Sequence, residues 1–193
     1  VQYWRYLSGL VQGDLGRSYL QKSEVAVLIW ARLPASLLLM AGAIGCELLL
    51  GLTMGVIAAL RRGSTTDQTL MIVSFVGVSA PQFVVGLLLL YVFAVKLGWF
   101  PIAGLADGGL SYLLPGLVLA SLSMAYVARL TRTAMLEAFS ADYIRTARAK
   151  GVGCNRIVFR HAFRNSLIPV VTFIGADIGS LLGGAIVTES VFN

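Results

Sequence analysis

Two acidic residues stand inside long apolar stretches of this chain, and a basic segment separates two of those stretches. The acidic residues are Glu47 and Asp177, and the basic segment runs from Asp142 to Val170. An ionisable side chain within a membrane usually faces a bundle interior or a wet cavity. Asp177 could therefore border the path of a polar solute or pair with a neighbouring helix, whereas Glu47 is expected to be mainly structural. The basic segment could bind a partner at the membrane surface.

The basic segment has the pattern of a short helix held between two turns. It reads D-Y-I-R-T-A-R-A-K-G-V-G-C-N-R-I-V-F-R-H-A-F-R-N-S-L-I-P-V. Its first residues are good helix formers, Asp142 complements the positive helix end, and Gly151 can adopt the left-handed conformation that ends a helix. A second helix is predicted from about Asn155. A projection of this kind can dock in a cleft of a partner, and a solvated connector is the alternative.

No motif in the sequence predicts catalysis. The chain lacks G-x-x-x-x-G-K-[ST], so any ATP must be bound by a separate subunit or domain. The single histidine, His161, and the two separated cysteines, Cys46 and Cys154, predict neither a metal site nor a disulfide. We expect no enzyme activity and no cofactor in this chain.

The composition is that of an integral membrane protein. Hydrophobic residues make up 58% of the chain, charged residues 12%, and the mean hydropathy is +0.83. Soluble domains carry about a quarter of charged residues. The net charge of +6 reflects positive residues at the ends of apolar stretches, which indicates membrane topology and no nucleic-acid partner.

Four stretches are long enough to cross a bilayer, which takes about 20 apolar residues in a helix. They are residues 33–60, 71–95, 110–128 and 166–188. Helices are expected because an open strand leaves its backbone unsatisfied in lipid. The predicted fold class is therefore all-α, a polytopic membrane helix bundle. Pro81 should kink the second span, and the neighbouring Ser79 and Gln82 join Asp177 as candidates for a translocation path.

Glycines recur every four residues in two of these stretches, at Gly51 and Gly55 and at Gly175, Gly179 and Gly183. Such ridges let helix backbones approach closely in lipid. Glu47 precedes Gly51 by one turn, so it is predicted to lie on the same face, buried against protein. Asp177 lies two residues from Gly175 and Gly179 and is predicted on the opposite side of its helix.

Lysine and arginine in the flanks predict the orientation. Arg61 and Arg62 close the first span and the basic segment follows the third, so both connections should be cytoplasmic. Residues 1–32, with G-D-L-G-R-S at Gly13–Ser18, would then be extracytoplasmic, and residues 33–193 would form the membrane domain. The chain begins without methionine and stops just after a span, so we expect an internal fragment.

Three stretches of the sequence resemble one family. The basic segment, G-D-L-G-R-S and V-T-E-S-V-F at Val187–Phe192 are similar to the inner-membrane permeases of bacterial ATP-driven importers of dipeptides, oligopeptides and nickel. Each such importer pairs two different permeases. The G-D-L-G-R-S stretch before the first span, and A-R-A-K-G followed by R-H-x-x-R-N in the basic segment, resemble the B-type permease of the pair. The resemblance covers nearly the whole chain. It implies a multi-pass protein of the bacterial cytoplasmic (inner) membrane with six spans, one before Val1 and one after Asn193.

The resemblance also implies partners. These are a second permease that completes a heterodimeric pore, two cytoplasmic ATP-binding subunits that hold ATP and Mg, and an extracytoplasmic substrate-binding protein. A coupling loop at about 137–165 would contact the ATP-binding subunits. Its implied residues are Asp142, Tyr143, Arg145, Thr146, Ala147, Arg148, Ala149, Lys150, Gly151, Arg156, His161, Arg164 and Asn165.

The general signature of these permeases is E-A-A, three residues, Gly, nine residues and I-x-L-P. Only Ala147 and Gly151 obey its strict form, since Arg145 replaces the glutamate and Arg164 the final proline. The resemblance therefore implies the coupling role of the loop, but it implies no salt bridge from the missing glutamate.

Three classes of function remain. The first is a permease that imports dipeptides or oligopeptides, with a nickel or glutathione importer of the same family as the alternative. The second is a proton-coupled secondary transporter that uses Glu47 and Asp177, and the third is a structural membrane subunit. Only the first explains a patterned basic segment on the cytoplasmic side.

Overall fold

The computed structural model describes residues 2–101 and 112–192 as a series of helices. The helices are α1 (Gln2–Val11), α2 (Val25–Cys46), α3 (Leu52–Leu60), α4 (Thr65–Ser79), α5 (Gln82–Leu89), α6 (Leu113–Ser140), α7 (Asp142–Ala149), α8 (Cys154–Arg156) and α9 (Arg164–Phe192). Wider π-helical turns join α2 to α3, extend α5 and join α8 to α9, at Glu47–Gly51, Leu90–Lys96 and Ile157–Phe163. Apart from one isolated bridge between Arg17 and Glu24, the regular structure in the described ranges is helical, which confirms the predicted all-α class.

Three helices of the described residues are long and apolar enough to cross a membrane. They are Val25–Leu60, Leu113–Ser140 and Cys154–Gly183. They overlap the first, third and fourth predicted spans, although residues 110 and 111 lie outside the described residues. Each helix is longer than its predicted span, since its hydrogen bonding continues past the charged residues at which the predicted spans stop, namely Arg32, Arg129 and Arg164.

The predicted second span is divided into two shorter helices at Pro81. Ala80 and Pro81 have extended ψ angles of 133° and 134°. A residue before proline is driven away from the helical region, and proline is readily accommodated at a helix start. The kink predicted at Pro81 is therefore confirmed as a complete helix break, with the shorter apolar helix Gln82–Lys96 beyond it.

The contacts divide the chain into two compact units, residues 1–38 and 39–193. In the first unit, the G-D-L-G-R-S motif forms a tight turn. Gly13 and Gly16 have φ angles of 85° and 75°, a conformation that favours glycine. The Gly16 N–H donates to Oδ1 of Asp14 at 2.9 Å, so the carboxylate closes the turn.

The second unit is built around α6, which contacts α3, α4, α5, α7 and α9. Glycines on the neighbouring helix allow a very close approach. A Cβ atom at Gly51 would lie 2.9 Å from the carbonyl oxygen of Met124, and one at Gly55 would lie 2.6 Å from that of Ala128. The residue numbers of the contacting pairs rise together along the two helices, so α3 and α6 run in the same direction. The contact predicted for this glycine ridge is confirmed.

The second glycine ridge has a different environment. A Cβ atom at Gly175, Gly179 or Gly183 would meet nothing within 4 Å in the described part of the chain. These glycines are exposed on one face of α9. The ridge is therefore open, whereas the ridge at Gly51 and Gly55 is packed.

A buried ion pair fixes the connection between α3 and α4 to α6. Arg132 donates to Asp67 from Nε to Oδ1 at 2.6 Å and from Nη2 to Oδ2 at 2.8 Å. The Gly63 N–H also donates to Oδ2 at 2.9 Å, and the Ser64 hydroxyl oxygen caps α4 by accepting from the Asp67 N–H. The Asp67 side chain is only 4% exposed. The hydrogen bond from Arg132 lowers the pKa of the Asp67 carboxyl, although burial opposes this effect.

The first prediction concerns the packed glycine ridge. Gly55→Ala should lower the free energy of unfolding by about 1–3 kcal/mol, because the new methyl group overlaps the α6 backbone. Gly179→Ala is the matched control for this subunit by itself, since its methyl group would meet nothing within 4 Å in the described part of the chain. Thermal unfolding of the full-length protein in detergent measures both effects. Equal melting temperatures for the two variants would contradict the close α3–α6 contact.

The second prediction concerns the ion pair. Asp67→Asn should cost about 3 kcal/mol, the low end for breaking a buried pair, because the Arg132 side chain is 26% exposed. Adding Arg132→Gln to this variant should restore part of the loss. Urea or SDS unfolding in a double-mutant cycle measures the coupling.

This pair also predicts a pH dependence of stability. A lowered carboxyl pKa in the folded state contributes stability that is complete above the ordinary aspartate pKa of about 3.9. That contribution is lost as the pH falls through the lowered folded value. The stability difference between wild type and Asp67→Asn should therefore be constant near neutrality and shrink below about pH 4. A difference independent of pH across this range would contradict the pair's electrostatic role.

Candidate functional site

The basic segment folds as the sequence predicts, with α7 ended by a left-handed glycine. Gly151 has a φ angle of 75°. Its N–H donates to the carbonyl of Arg148 at 3.0 Å, and the Val152 N–H donates to the carbonyl of Ala147 at 3.1 Å. This pair of hydrogen bonds is a Schellman motif, which satisfies carbonyls that a helix end otherwise leaves free. The chain direction after α7 is thus tightly defined.

One face of α7 is anchored in a small apolar cluster. Ile144 is fully buried, and it packs with Ala147, Ile157 and Val152. Ile157 begins the π-helical turn that continues into α9. Because burial of these apolar side chains stabilises the arrangement, α7 is attached to the start of the last membrane helix and is not a freely moving loop.

The other face of α7 is exposed and basic. Tyr143 is 41% exposed, and Asp142 forms a surface ion pair with Arg145, which contributes little to stability. Most residues of the implied coupling set are exposed, namely Asp142, Tyr143, Arg145, Thr146, Arg148, Ala149, Lys150, Gly151, Arg156, Arg164 and Asn165. Ala147 is buried and His161 is half-buried. The exposed members on α7 therefore lie opposite its buried anchor, and the members that follow α7 are also exposed, apart from the half-buried His161.

Asp177 faces α6 across a short hydrogen bond. The Ser123 hydroxyl donates to Oδ2 of Asp177 at 2.5 Å. Three residues further along α6, the ring of Tyr126 stacks on Phe173 with centroids 5.9 Å apart. The residue number rises on α6 while that of its contact falls on α9, so the two helices are antiparallel. Asp177 lies on the side of α9 opposite its open glycines, as predicted.

Glu47 lies in the same layer of the second unit. It is fully buried, and neither carboxylate oxygen has a hydrogen-bond partner among the described residues. Glu47 is one turn before Gly51, which contacts Met124, and this register places it beside Ala120, within about one turn of Ser123 on the parallel α6. It is also close enough to Asp177 for the two carboxylates to interact electrostatically. The predicted burial of Glu47 against protein is confirmed.

The three residues form a polar layer, which we define as Glu47, Ser123 and Asp177. An apolar cluster that includes Leu119 and Leu181 lies one turn away on α6 and α9. Two carboxyl groups in such surroundings are costly unless they are neutralised or paired. A cationic group between the two acidic side chains would therefore be favoured electrostatically.

The other two path candidates differ in position. Gln82 is half-buried and donates from Nε2 to the carbonyl of Val118 at 3.4 Å. It therefore contacts α6 close to the turn that meets Asp177. Ser79 is exposed, and its hydroxyl donates to the carbonyl of Phe75 on its own helix at 2.9 Å. The structure brings Gln82 and Asp177 to neighbouring parts of α6 and leaves Ser79 apart.

Sequence reasoning missed Ser123 and the pairing of Asp67 with Arg132. Serine in an apolar helix carries no distinguishing signal. The Ser64-x-x-Asp67 spacing resembles a helix capping box and could have placed Asp67 at a helix start. Its partner is 65 residues further along the chain, and no local pattern identifies it.

Comparison with known proteins identifies the family. A family model described as a binding-protein-dependent transport system inner membrane component matches residues 51–193. The glutathione transport system permease protein GsiC of Escherichia coli strain K12 is 43% identical over 192 residues, covering 100% of this chain and 62% of the relative. The oligopeptide transport system permease protein AppB of Bacillus subtilis strain 168 is 42% identical over 202 residues, covering 100% of this chain and 64% of the relative.

These matches confirm the resemblance seen in the sequence. The chain spans less than two thirds of the length of these relatives. The family match covers most of the chain and includes the basic segment, Ser123 and Asp177, whereas Glu47 lies just before it. The chain therefore belongs to the family of inner-membrane components of binding-protein-dependent transport systems, the permeases of ATP-binding-cassette importers.

Proposed function

We propose that this chain forms half of the translocation pore of an ATP-driven importer of dipeptides or oligopeptides. An extracytoplasmic binding protein delivers the peptide, and cytoplasmic ATP-binding subunits drive transport by engaging α7. The anchored and exposed faces of α7 carry this proposal. Its buried face holds Ile144 against Ile157, while its exposed face presents basic side chains.

The packing around α7 supports a mechanical route into the membrane helices. Ile144 contacts Ile157, and the next residues of that π-helical turn join a larger cluster. In this cluster Val158 and Ala162 pack with Met135 of α6. A force on α7 therefore reaches both α9, through the continuous helix, and α6, through side-chain packing. Closure of the ATP-binding subunits would shift α7 and change how α6 and α9 are spaced.

The open glycine ridge of α9 supports a second permease as the pore partner. Gly175, Gly179 and Gly183 leave a small-residue face with nothing packed on it in the described part of the chain. Small residues every fourth position favour close helix association in membranes. We assign this face to the contact with the second permease, whereas the opposite side of α9 contacts α6 through Asp177.

The relatives and the polar layer support a peptide as the class of cargo. The named relatives transport glutathione, which is a tripeptide, and oligopeptides. A peptide carries an ammonium group at its N-terminus, and the layer containing Asp177 favours one positive charge. We propose that Asp177 and Gln82 border the path of the peptide. A glutathione importer is the alternative within the family, and the nickel importers lack this support from the relatives.

A proton-coupled secondary transporter is the alternative of another class. The polar layer favours it, because Glu47 and Asp177 could carry a proton. The anchored, basic α7 has no role in that mechanism. Uptake of a labelled peptide into proteoliposomes containing the full-length assembled importer separates the two. We expect uptake to require ATP and to survive a protonophore, and the opposite dependence would establish the alternative.

The third prediction tests the coupling role of α7. Gly151→Val should abolish most ATP-dependent uptake, because valine is strained at a φ angle of 75° and the Schellman motif would open. Gly153→Val is the matched control, since Gly153 has an ordinary φ angle of −61° and open space around its Cβ position. Membrane insertion should be normal in both variants. Full ATP-dependent uptake in Gly151→Val would rule out α7 as the coupling element.

The fourth prediction tests Asp177. Asp177→Asn keeps a hydrogen-bond acceptor for Ser123 but removes the charge, so uptake should fall roughly tenfold while the complex still assembles. Ser123→Ala removes the hydrogen bond and keeps the charge, and its uptake should change much less. If Ser123→Ala impaired uptake and Asp177→Asn did not, Asp177 would be a packing residue. Quantitative uptake at equal amounts of purified complex gives the comparison.

A further inference from the structure

A cavity of about 640 Å³ lies where α3, α6 and the basic segment meet. This volume falls in the range of roughly 300–1,000 Å³ typical of ligand pockets. The walls include apolar side chains from three parts of the second unit. Leu60 ends α3, Leu136 and Phe139 lie in the last turns of α6, and Val152 follows α7.

Two arginines give the cavity its charge. Arg62 follows α3 and Arg148 lies on α7, so positive charge comes from two sides. The residues that line the cavity in the described part of the chain include no acid. Of the nearby carboxylates, Asp67 is held by Arg132 and Asp142 is paired with Arg145. An anionic group in the cavity would therefore meet arginine side chains on two sides and no acidic residue among the described lining residues.

The cavity lies at the boundary between the membrane and water. Leu60 is the last residue of a helix long enough to span the bilayer and is 49% exposed. The charged residues Arg61 and Arg62 follow it immediately. An occupant suited to this place carries an anionic group next to apolar chains. A phospholipid has that chemistry, and basic pockets between membrane helices on the cytoplasmic side are known to hold anionic head groups.

We propose that this cavity binds an anionic phospholipid. The phosphate lies between Arg62 and Arg148, and the upper parts of the acyl chains pack along Leu60 and Phe139. Arginine is well suited to phosphate because its planar guanidinium can donate two parallel hydrogen bonds. A soluble anion would leave the apolar walls without a partner.

Bound lipid would connect α7 to the end of α3. Arg148 belongs to α7, whereas Arg62 belongs to the connection that the Asp67–Arg132 pair fixes to α6. A shared phosphate would limit movement of α7 against the membrane helices. This consequence rests on the proposed coupling role of α7, but the binding itself does not.

Cys154 provides a probe for the test because it is exposed and lines the cavity. The full-length protein, assembled with the subunits that purify with it and with its other cysteines replaced by alanine, is placed in nanodiscs. One preparation contains phosphatidylcholine alone, and another contains phosphatidylcholine with phosphatidylglycerol. A third contains phosphatidylcholine with added inorganic phosphate. The rate at which a polar maleimide labels Cys154 reports whether the cavity is filled.

The matched variants are Arg62→Gln and Arg61→Gln. They remove the same charge from adjacent positions, but Arg61 does not line the cavity and donates to the Thr66 hydroxyl at 3.3 Å. We expect phosphatidylglycerol to slow labelling about tenfold, as a charge-assisted contact implies. Arg62→Gln should abolish this protection, and Arg61→Gln should keep it. Equal melting temperatures in phosphatidylcholine exclude misfolding as the cause.

Four results would overturn the proposal. Equal labelling with and without phosphatidylglycerol would show that the cavity does not bind it. Equal loss of protection in both variants would indicate general surface charge. Protection by inorganic phosphate alone would identify a free-anion site. Slow labelling in every preparation would show that polypeptide covers the cavity. Native mass spectrometry should independently show phosphatidylglycerol retained by wild type and lost in Arg62→Gln.

Discussion

The close approach of the α3 backbone to α6 is the constraint on which the rest of the second unit depends. Gly51 and Gly55 leave no room for a side chain between the two helices. This contact sets the register that turns Glu47 towards α6, within about one turn of the level of Ser123. Further along α6, the Asp67–Arg132 pair fixes the start of α4 to this helix. Van der Waals packing and a buried ion pair therefore position the acidic residues within the bundle.

The helix α6 connects the two candidate functional regions. Its middle contacts α9 through the hydrogen bond between Ser123 and Asp177. Near its end, Met135 packs with Val158 of the π-helical turn that joins α8 to α9. A packed core does not deform continuously. Movement of α7 is therefore expected to be transmitted along α6 and α9, and not absorbed locally.

The sequence predicts the local features of this structure well and its long-range pairs poorly. The end of α7 at Gly151 and the break at Pro81 follow from backbone chemistry that acts over a few residues. The face of Asp177 follows from helical periodicity. The Asp67–Arg132 pair and the role of Ser123 depend on which helices become neighbours, and a single sequence does not encode that locally. The predicted spans are shorter than the observed helices because hydropathy indicates which residues suit lipid. A helix, in contrast, ends where its backbone hydrogen bonding ends.

The most direct measurement is a photo-crosslink from α7 in the assembled importer. Tyr143 is 41% exposed on the basic face, and a photoreactive aromatic amino acid can replace it with little change in shape. Irradiation should join this permease to an ATP-binding subunit, with a yield that changes when ATP is added. An intact, transport-competent complex in which this position forms no adduct with that subunit would contradict transmission of force through α7.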